Sequence, residues 1–265
     1  MPEGLRLAVT TLTVARVRGP RQLDRRTAGQ AMTWAPLVGL LLGLGGAGPV
    51  FLVRYFSGQN LLGAIVGLTV LALLTRGLHL DGLADLVDGL ASYRDPEGTR
   101  AVMRSPEIGP MGTVAVVLTF LLQATALSAC VGHGRGTASL VLAVATGRLA
   151  VTAACSRLPA ATAEGLGALV AGTVRPWVPW VWAAALVSAA YGYAYVDPDG
   201  RGPMPTTAIQ YAAAPLVALA VTWVLRRHAV RRVGGITGDV LGALCEVATT
   251  VCLLVLALNP ARVAL

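Results

Sequence analysis

Three aspartates, Asp81, Asp85 and Asp88, interrupt a strongly apolar stretch that runs from Arg76 to Leu90. Only thirteen of the 265 residues are acidic, so three on one short segment is a concentration with a chemical meaning. At about 100° per residue, an α-helix places Asp85 and Asp88 within roughly 40° of Asp81, one and two turns along a single face. Like charges held that close repel, and a cation among them relieves the repulsion. An all-oxygen set suits a hard divalent ion, and with Mg²⁺ such sets commonly bind substrate phosphates. The competing reading is the wet face of an interfacial amphipathic helix. Such faces usually mix signs, whereas no basic residue occurs between Arg76 and Arg94.

Other residues fit around that centre. Asp239 and Glu246 lie two helical turns apart at the head of the last apolar segment, with Gly238 and Gly242 leaving room for close helix approach. Glu246 falls about two turns inside the bilayer, where an ionisable group costs about 2–3.5 kcal/mol and needs a partner or a task. The preceding turn, Gly234-Gly235-Ile236-Thr237, offers backbone N–H groups to a phosphate, or is a plain helix entry with Thr237 as its cap. Arg100 and Arg104, one turn apart, suit a phosphate clamp or simple anchoring at the membrane face. Arg148 stands mid-span and requires an internal partner, for which a buried acid is expected. His79 lies about 200° around the helix from Asp81, so it is read as a structural hydrogen bonder or a proton-transfer group rather than a fourth ligand. His133 and His228 read as surface residues.

Two features carry no chemistry. Gly43-Leu-Gly-Gly-Ala-Gly48 matches a nucleotide-binding glycine pattern but sits inside an apolar span with no strand before it, so helix packing is expected. Cys130, Cys155, Cys245 and Cys252 lack metal-like spacing and read as small buried hydrophobes.

These residues must be positioned by membrane helices. The chain is 55% hydrophobic and 13% charged, which excludes an ordinary soluble domain. Apolar runs at roughly 36–56, 60–76, 109–131, 137–157, 177–196, 207–225 and 239–258 give about seven transmembrane helices. The Asp-bearing segment 77–92 adds a short helix at the membrane face. The fold expected is therefore all-α, a polytopic helical bundle forming a single domain over 1–265, without a signal peptide. All 21 basic residues are Arg, with none of them Lys, so the net charge of +8 reflects usage rather than nucleic-acid binding. Six arginines fall in residues 1–33, three in 93–108, two in 157–175 and four in 226–232. The intervening loops 57–59, 132–136 and 197–206 carry none, one (Arg135) and one (Arg201). The positive-inside rule then puts the N-terminus and all four acid- or glycine-rich segments on the cytoplasmic side, with the C-terminus outside. Trp177, Trp180 and Trp182 fit an aromatic belt where the fifth span begins.

At this point the chain resembles a known family. Leu78-His-Leu-Asp-Gly-Leu-Ala-Asp-Leu-Val-Asp-Gly89 is similar to the central signature of the cobalamin synthases. Pro36-Leu-Val-Gly39, Val102-Met-Arg104 with Ile108-Gly-Pro-Met-Gly112, Gly147-Arg148, Glu164-Gly-Leu-Gly167 and Gly234-Gly-Ile-Thr-Gly-Asp239 follow in the family's order, so the likeness covers essentially the whole chain. Arg104-Ser-Pro-Glu-Ile-Gly109 departs from the Lys-Asp-Ser-Arg-Ile-Gly of many members, and Pro159-Ala-Ala-Thr162 stands where Pro-Tyr-Ala-Arg is usual. The resemblance implies a bacterial inner-membrane, Mg²⁺-requiring enzyme. Its reaction would pass cobinamide phosphate from adenosylcobinamide-GDP to the 5′-hydroxyl of α-ribazole or its 5′-phosphate, releasing GMP. In that reading Asp81, Asp85, Asp88 and Asp239 are metal ligands, and one aspartate, for instance Asp88, is the alternative proton acceptor. Arg100, Arg104, Arg148, Gly234, Gly235, Thr237 and Glu246 are substrate contacts. Association into homo-oligomers stays open.

Two rivals are weaker. A CDP-alcohol phosphotransferase also sets aspartates at the membrane face, but its Asp-Gly-x-x-Ala-Arg signature is absent, since Asp81-Gly-Leu-Ala-Asp85 lacks the closing pair. A cation-coupled transporter would favour internal duplication, which the sequence does not display, and gives no reason for acids to gather on one side.

Overall fold

The structure, a computed structural model, describes residues 1–196 and 204–258. Within them the chain forms eleven α-helices and no strand; a lone parallel bridge joins Ala160 to Ile236. Five helices are long and apolar enough to cross a membrane: α2 (Arg25–Ser57), α6 (Pro110–Gly132), α7 (Gly136–Ala154), α10 (Pro205–Val233) and α11 (Gly238–Ala257). α3 (Asn60–Leu74) and α4 (Leu78–Ala91) meet the same standard only when taken together, as a pair bent by 88°. α9 (Val178–Val196) is the remaining expected span; its two tryptophans and three tyrosines dilute its apolar character below that standard. α1 (Glu3–Leu12), α5 (Pro96–Met103) and α8 (Leu166–Val170) are short helices between or before the spans. Arg201 and the tail beyond 258 lie outside the described residues.

Several ends differ from the sequence expectation for identifiable reasons. α2 begins at Arg25 rather than near 36, because Asp24 caps it, its Oδ1 accepting the Thr27 N–H at 2.7 Å. α10 continues to Val233 rather than 225, carrying Arg226, Arg227, Arg231 and Arg232 beyond its apolar part. It stops where Gly234 takes a left-handed conformation with φ 91°. Trp182 leaves the expected belt: Trp177 and Trp180 are exposed, but the Trp182 indole N–H donates to the Thr33 carbonyl at 2.9 Å and pins α9 to α2.

α7 is the axle of the bundle and is buried along most of its length. Small residues make that possible. A methyl group on Gly43 would lie 2.7 Å from the Val141 Cα, and one on Gly39 would lie 2.9 Å from the Ala145 Cα, so the glycine run in α2 is a close-packing stripe against α7. The four cysteines are free and buried, as expected of small hydrophobes.

The elbow between α3 and α4 decides where the aspartates go. Arg76 and Gly77 are both left-handed, at φ 56° and 66°. The Gly77 N–H reaches back to the Ala72 carbonyl at 2.8 Å, closing α3 before the chain turns. The left-handed form costs a non-glycine residue about 1–2 kcal/mol, so Arg76 holds strain that the elbow requires. Past it, α4 lies across the end of the bundle, against α6 and α11.

Candidate functional site

α4 meets α11 at a crossing of two glycines. A Cβ on Gly82 would stand 2.8 Å from the Asp239 Cα, and one on Gly242 would stand 3.1 Å from the His79 carbonyl oxygen. Gly242 thus serves the close approach expected of it, while Gly82 of α4, rather than Gly238, is its counterpart. This crossing brings the Asp81 and Asp85 face beside Asp239. Asp81 is exposed, and Asp85 and Asp239 are half-buried. Partial burial, then the charges of Asp81, Asp239 and Asp88, push the Asp85 carboxyl up to about 6. The Arg104 guanidinium across the cavity is the nearby cation and attracts the Asp239 carboxylate.

Asp88 behaves differently from its two neighbours. Its Oδ2 accepts the Gly109 N–H at 2.7 Å and its Oδ1 accepts the Gly112 N–H at 2.8 Å. These are the free donors at the start of α6, whose own first residues supply no side-chain cap. A Cβ at Gly109 or Gly112 would collide with the Asp88 carboxylate, so the two glycines are what admit it. Helix spacing placed Asp88 on the right face; packing gave it the role of a distant cap, with a half-positive helix end as its partner.

The donor set fits a metal in a limited sense. Among the described residues no three His, Cys, Asp or Glu side chains converge as a ready-made metal cluster. An all-protein cage is therefore absent from the described residues. One or two carboxylates from Asp81, Asp85 and Asp239 match instead an ion that completes its shell with phosphate and water.

A cavity of about 280 Å³ opens next to Asp239. The end of α5, the 162–167 loop and the turn into α11 form its walls, with Arg100, Arg104, Thr162, Glu164, Thr237 and Asp239 as the polar lining. Thr237 caps α11 by accepting the Val240 N–H at 3.2 Å, so the helix-entry reading of this residue is correct and its hydroxyl still faces the cavity. Arg100 is partly committed: one guanidinium nitrogen donates to the Val233 carbonyl at 2.6 Å, closing the C-terminus of α10. Arg104 is exposed and without an ion pair among the described residues.

Gly234 and Gly235 shape this wall rather than line it. Gly235, at φ 156°, lies so close to the Ala160 and Ala161 backbone that a side chain is excluded. The Ile236 N–H donates to the Pro159 carbonyl at 2.9 Å, and the Ala161 N–H donates to the Ile236 carbonyl at 3.1 Å. The loop Pro159-Ala-Ala-Thr162, unusual in its side chains, therefore works through its backbone. Arg25, not singled out from the sequence, donates to the Ala168 and Ala171 carbonyls and ties the start of α2 to the short helix α8. Its signal was visible only as one more arginine in a basic N-terminal segment.

The remaining polar candidates lie deeper. Arg148 is buried in α7, and its nearest polar partner is His79, Nη2 to Nδ1 at 3.4 Å. The expected salt bridge to a buried acid is not formed, and Arg148 Nε has no hydrogen bond. Glu246 is instead held by Gln123, whose Nε2 donates to Oε2 at 2.9 Å and to the Thr250 hydroxyl at 3.0 Å. Arg148, His79 and Glu246 thus belong to the bundle interior beneath the α4–α11 crossing, not to the open cavity.

Comparison with known proteins follows the same lines. The family model described as Cobalamin-5-phosphate synthase matches residues 4–257. A protein of Frankia casuarinae named adenosylcobinamide-GDP ribazoletransferase is 47% identical over 263 residues, covering 96% of this chain and 94% of the relative. Proteins of the same name from a Nocardioides strain and from Corynebacterium efficiens are 38% and 36% identical, over 96% and 92% of this chain and 98% and 86% of theirs. No solved structure matches the chain.

Proposed function

Because the chain belongs to the cobalamin-5-phosphate synthase family, we propose that the α4–α11 face and its adjoining cavity carry an adenosylcobinamide-GDP ribazoletransferase reaction. The 5′-hydroxyl oxygen of α-ribazole, or of its 5′-phosphate, attacks the phosphorus that bears cobinamide. The bridging P–O bond of the pyrophosphate breaks, GMP leaves, and the hydroxyl proton passes to a base. One observation carries the assignment of the site: the glycine crossing sets an acid face against a cavity lined by two arginines.

The roles follow from chemistry. Arg104, and the part of Arg100 not spent on Val233, bind the pyrophosphate oxygens, where a planar guanidinium matches phosphate geometry. Asp81 and Asp239 would hold Mg²⁺, which when bound neutralises charge building on the leaving GMP. Asp85, half-buried beside them, accepts the hydroxyl proton. Asp88 orients α6 and so the loop that precedes it. The face lies on the cytoplasmic side of the bacterial inner membrane, in keeping with the arginines of residues 1–33 and 226–232.

The test uses detergent-purified protein with adenosylcobinamide-GDP and α-ribazole, with and without Mg²⁺. Corrinoid product and GMP are followed by chromatography. Metal-dependent appearance of both in equal amounts supports the reading. A folded sample that makes neither refutes it.

A further inference from the structure

The cavity beside Asp239 holds one charged group that the phosphotransfer does not use. Glu164 lines it, yet among the described residues its carboxylate has no hydrogen-bond or ion-pair partner. Its backbone is fixed, because the Thr162 hydroxyl donates to the Glu164 carbonyl at 2.8 Å. Glu164 is exposed, so its carboxylate is free to accept from a ligand that brings N–H donors into a pocket otherwise suited to phosphates.

Size and chemistry narrow what that is. At about 280 Å³ the cavity is near the lower end of small-ligand sites, roughly 300–1,000 Å³, which suits one nucleotide and not a corrin macrocycle. The apolar lining, Met103 and Leu166, suits a flat base between the charged ends. The benzimidazole-type base of α-ribazole carries no N–H and gives a carboxylate nothing to accept. Guanine presents N1–H and N2–H side by side, matching the two oxygens of a carboxylate. Two arginines for phosphate, an apolar wall for the ring and one carboxylate for the base edge together describe guanosine monophosphate.

Building on the ribazoletransferase reading, we propose that this cavity takes the GMP end of adenosylcobinamide-GDP and that Glu164 determines guanine specificity. Glu164 touches the base and not the reacting atoms, so its loss relaxes base choice while leaving phosphate binding to the arginines.

The experiment measures inhibition of the purified enzyme by GMP, IMP and XMP, and displacement of a fluorescent GMP analogue by the same nucleotides. IMP lacks the 2-amino donor, and XMP replaces it with an oxygen. One charge-assisted hydrogen bond corresponds to about tenfold in affinity or more. Wild-type protein should prefer GMP over IMP by about that factor, and Glu164→Ala should reduce the ratio to near one. Glu164→Gln, whose amide pairs an acceptor with a donor, should gain affinity for XMP relative to GMP. Retention of the wild-type GMP-to-IMP ratio in Glu164→Ala overturns the proposal. Wild-type protein that makes no corrinoid product fails the ribazoletransferase reading, while the displacement ratios still decide the role of Glu164.

Discussion

Two polar regions of this bundle handle charge in opposite ways. At the α4–α11 face Asp81, Asp85 and Asp239 crowd together, with Arg104 across the cavity as the nearby cation, and partial burial and then mutual repulsion raise the Asp85 carboxyl. A few turns below, Glu246 is met by Gln123 and Arg148 leans on His79, so most of the interior polar atoms are partnered within the protein. The interior spends its polar groups on holding helices together. The face gathers like charges, as a surface does when the answer comes from a ligand. Asp88 belongs by sequence to the first region and by bonding to the second.

That contrast can be broken at its strongest point first. Asp81→Asn should lower product formation by about 10²–10³-fold, in the range seen when a group stabilising transition-state charge is removed, with little change in melting temperature. Equal losses of activity and stability would erase the distinction between face and interior. Gly82→Ala drives a methyl group against the Asp239 backbone and should cost about 1–3 kcal/mol by overpacking, with activity falling as the two acid-bearing helices separate. Thermal unfolding in detergent beside the transferase assay reads both.

Smaller changes sharpen it. Asp88→Ala removes the cap of α6 and should lower stability by about 1–2 kcal/mol, and Asp88→Asn, which keeps one acceptor and turns a donor toward the second N–H, should lose a comparable amount of stability while retaining most of its activity. If Asp88→Asn is as inactive as Asp81→Asn, Asp88 does chemistry as well as capping. Gln123→Leu strands Glu246 without its donor and should cost about 1–3 kcal/mol, with the Mg²⁺ dependence of the reaction unchanged. A shifted metal dependence would join the interior to the face.

Much of this arrangement is legible from the chain because membrane helices write themselves in long apolar runs and in the placement of arginine. The glycine stripe of α2 and the shared face of Asp81 and Asp85 follow from spacing alone. The partner of Asp88 does not, since helical periodicity gives a direction and not what stands in it. A clue was present: α6 starts at Gly109-Pro110 without a Ser, Thr or Asp to cap it, which calls for an acceptor from elsewhere. The missing Arg148 salt bridge has a similar origin. Spacing shows that a buried cation needs relief, while depth along each helix decides which group is near enough to give it. α1 leaves no such mark, because a ten-residue amphipathic helix is too short to register as a membrane span.

The short α3 has an outcome beyond its elbow. Its fifteen residues rise about 22 Å, well under the roughly 30 Å of a hydrocarbon core, whereas α10 has twenty-nine. By itself α3 therefore falls short of a full crossing, and the chain turns by 88° before α4 carries the aspartates. Where such carboxylates are set back from open water, their attraction for a bound cation is stronger than on an open surface.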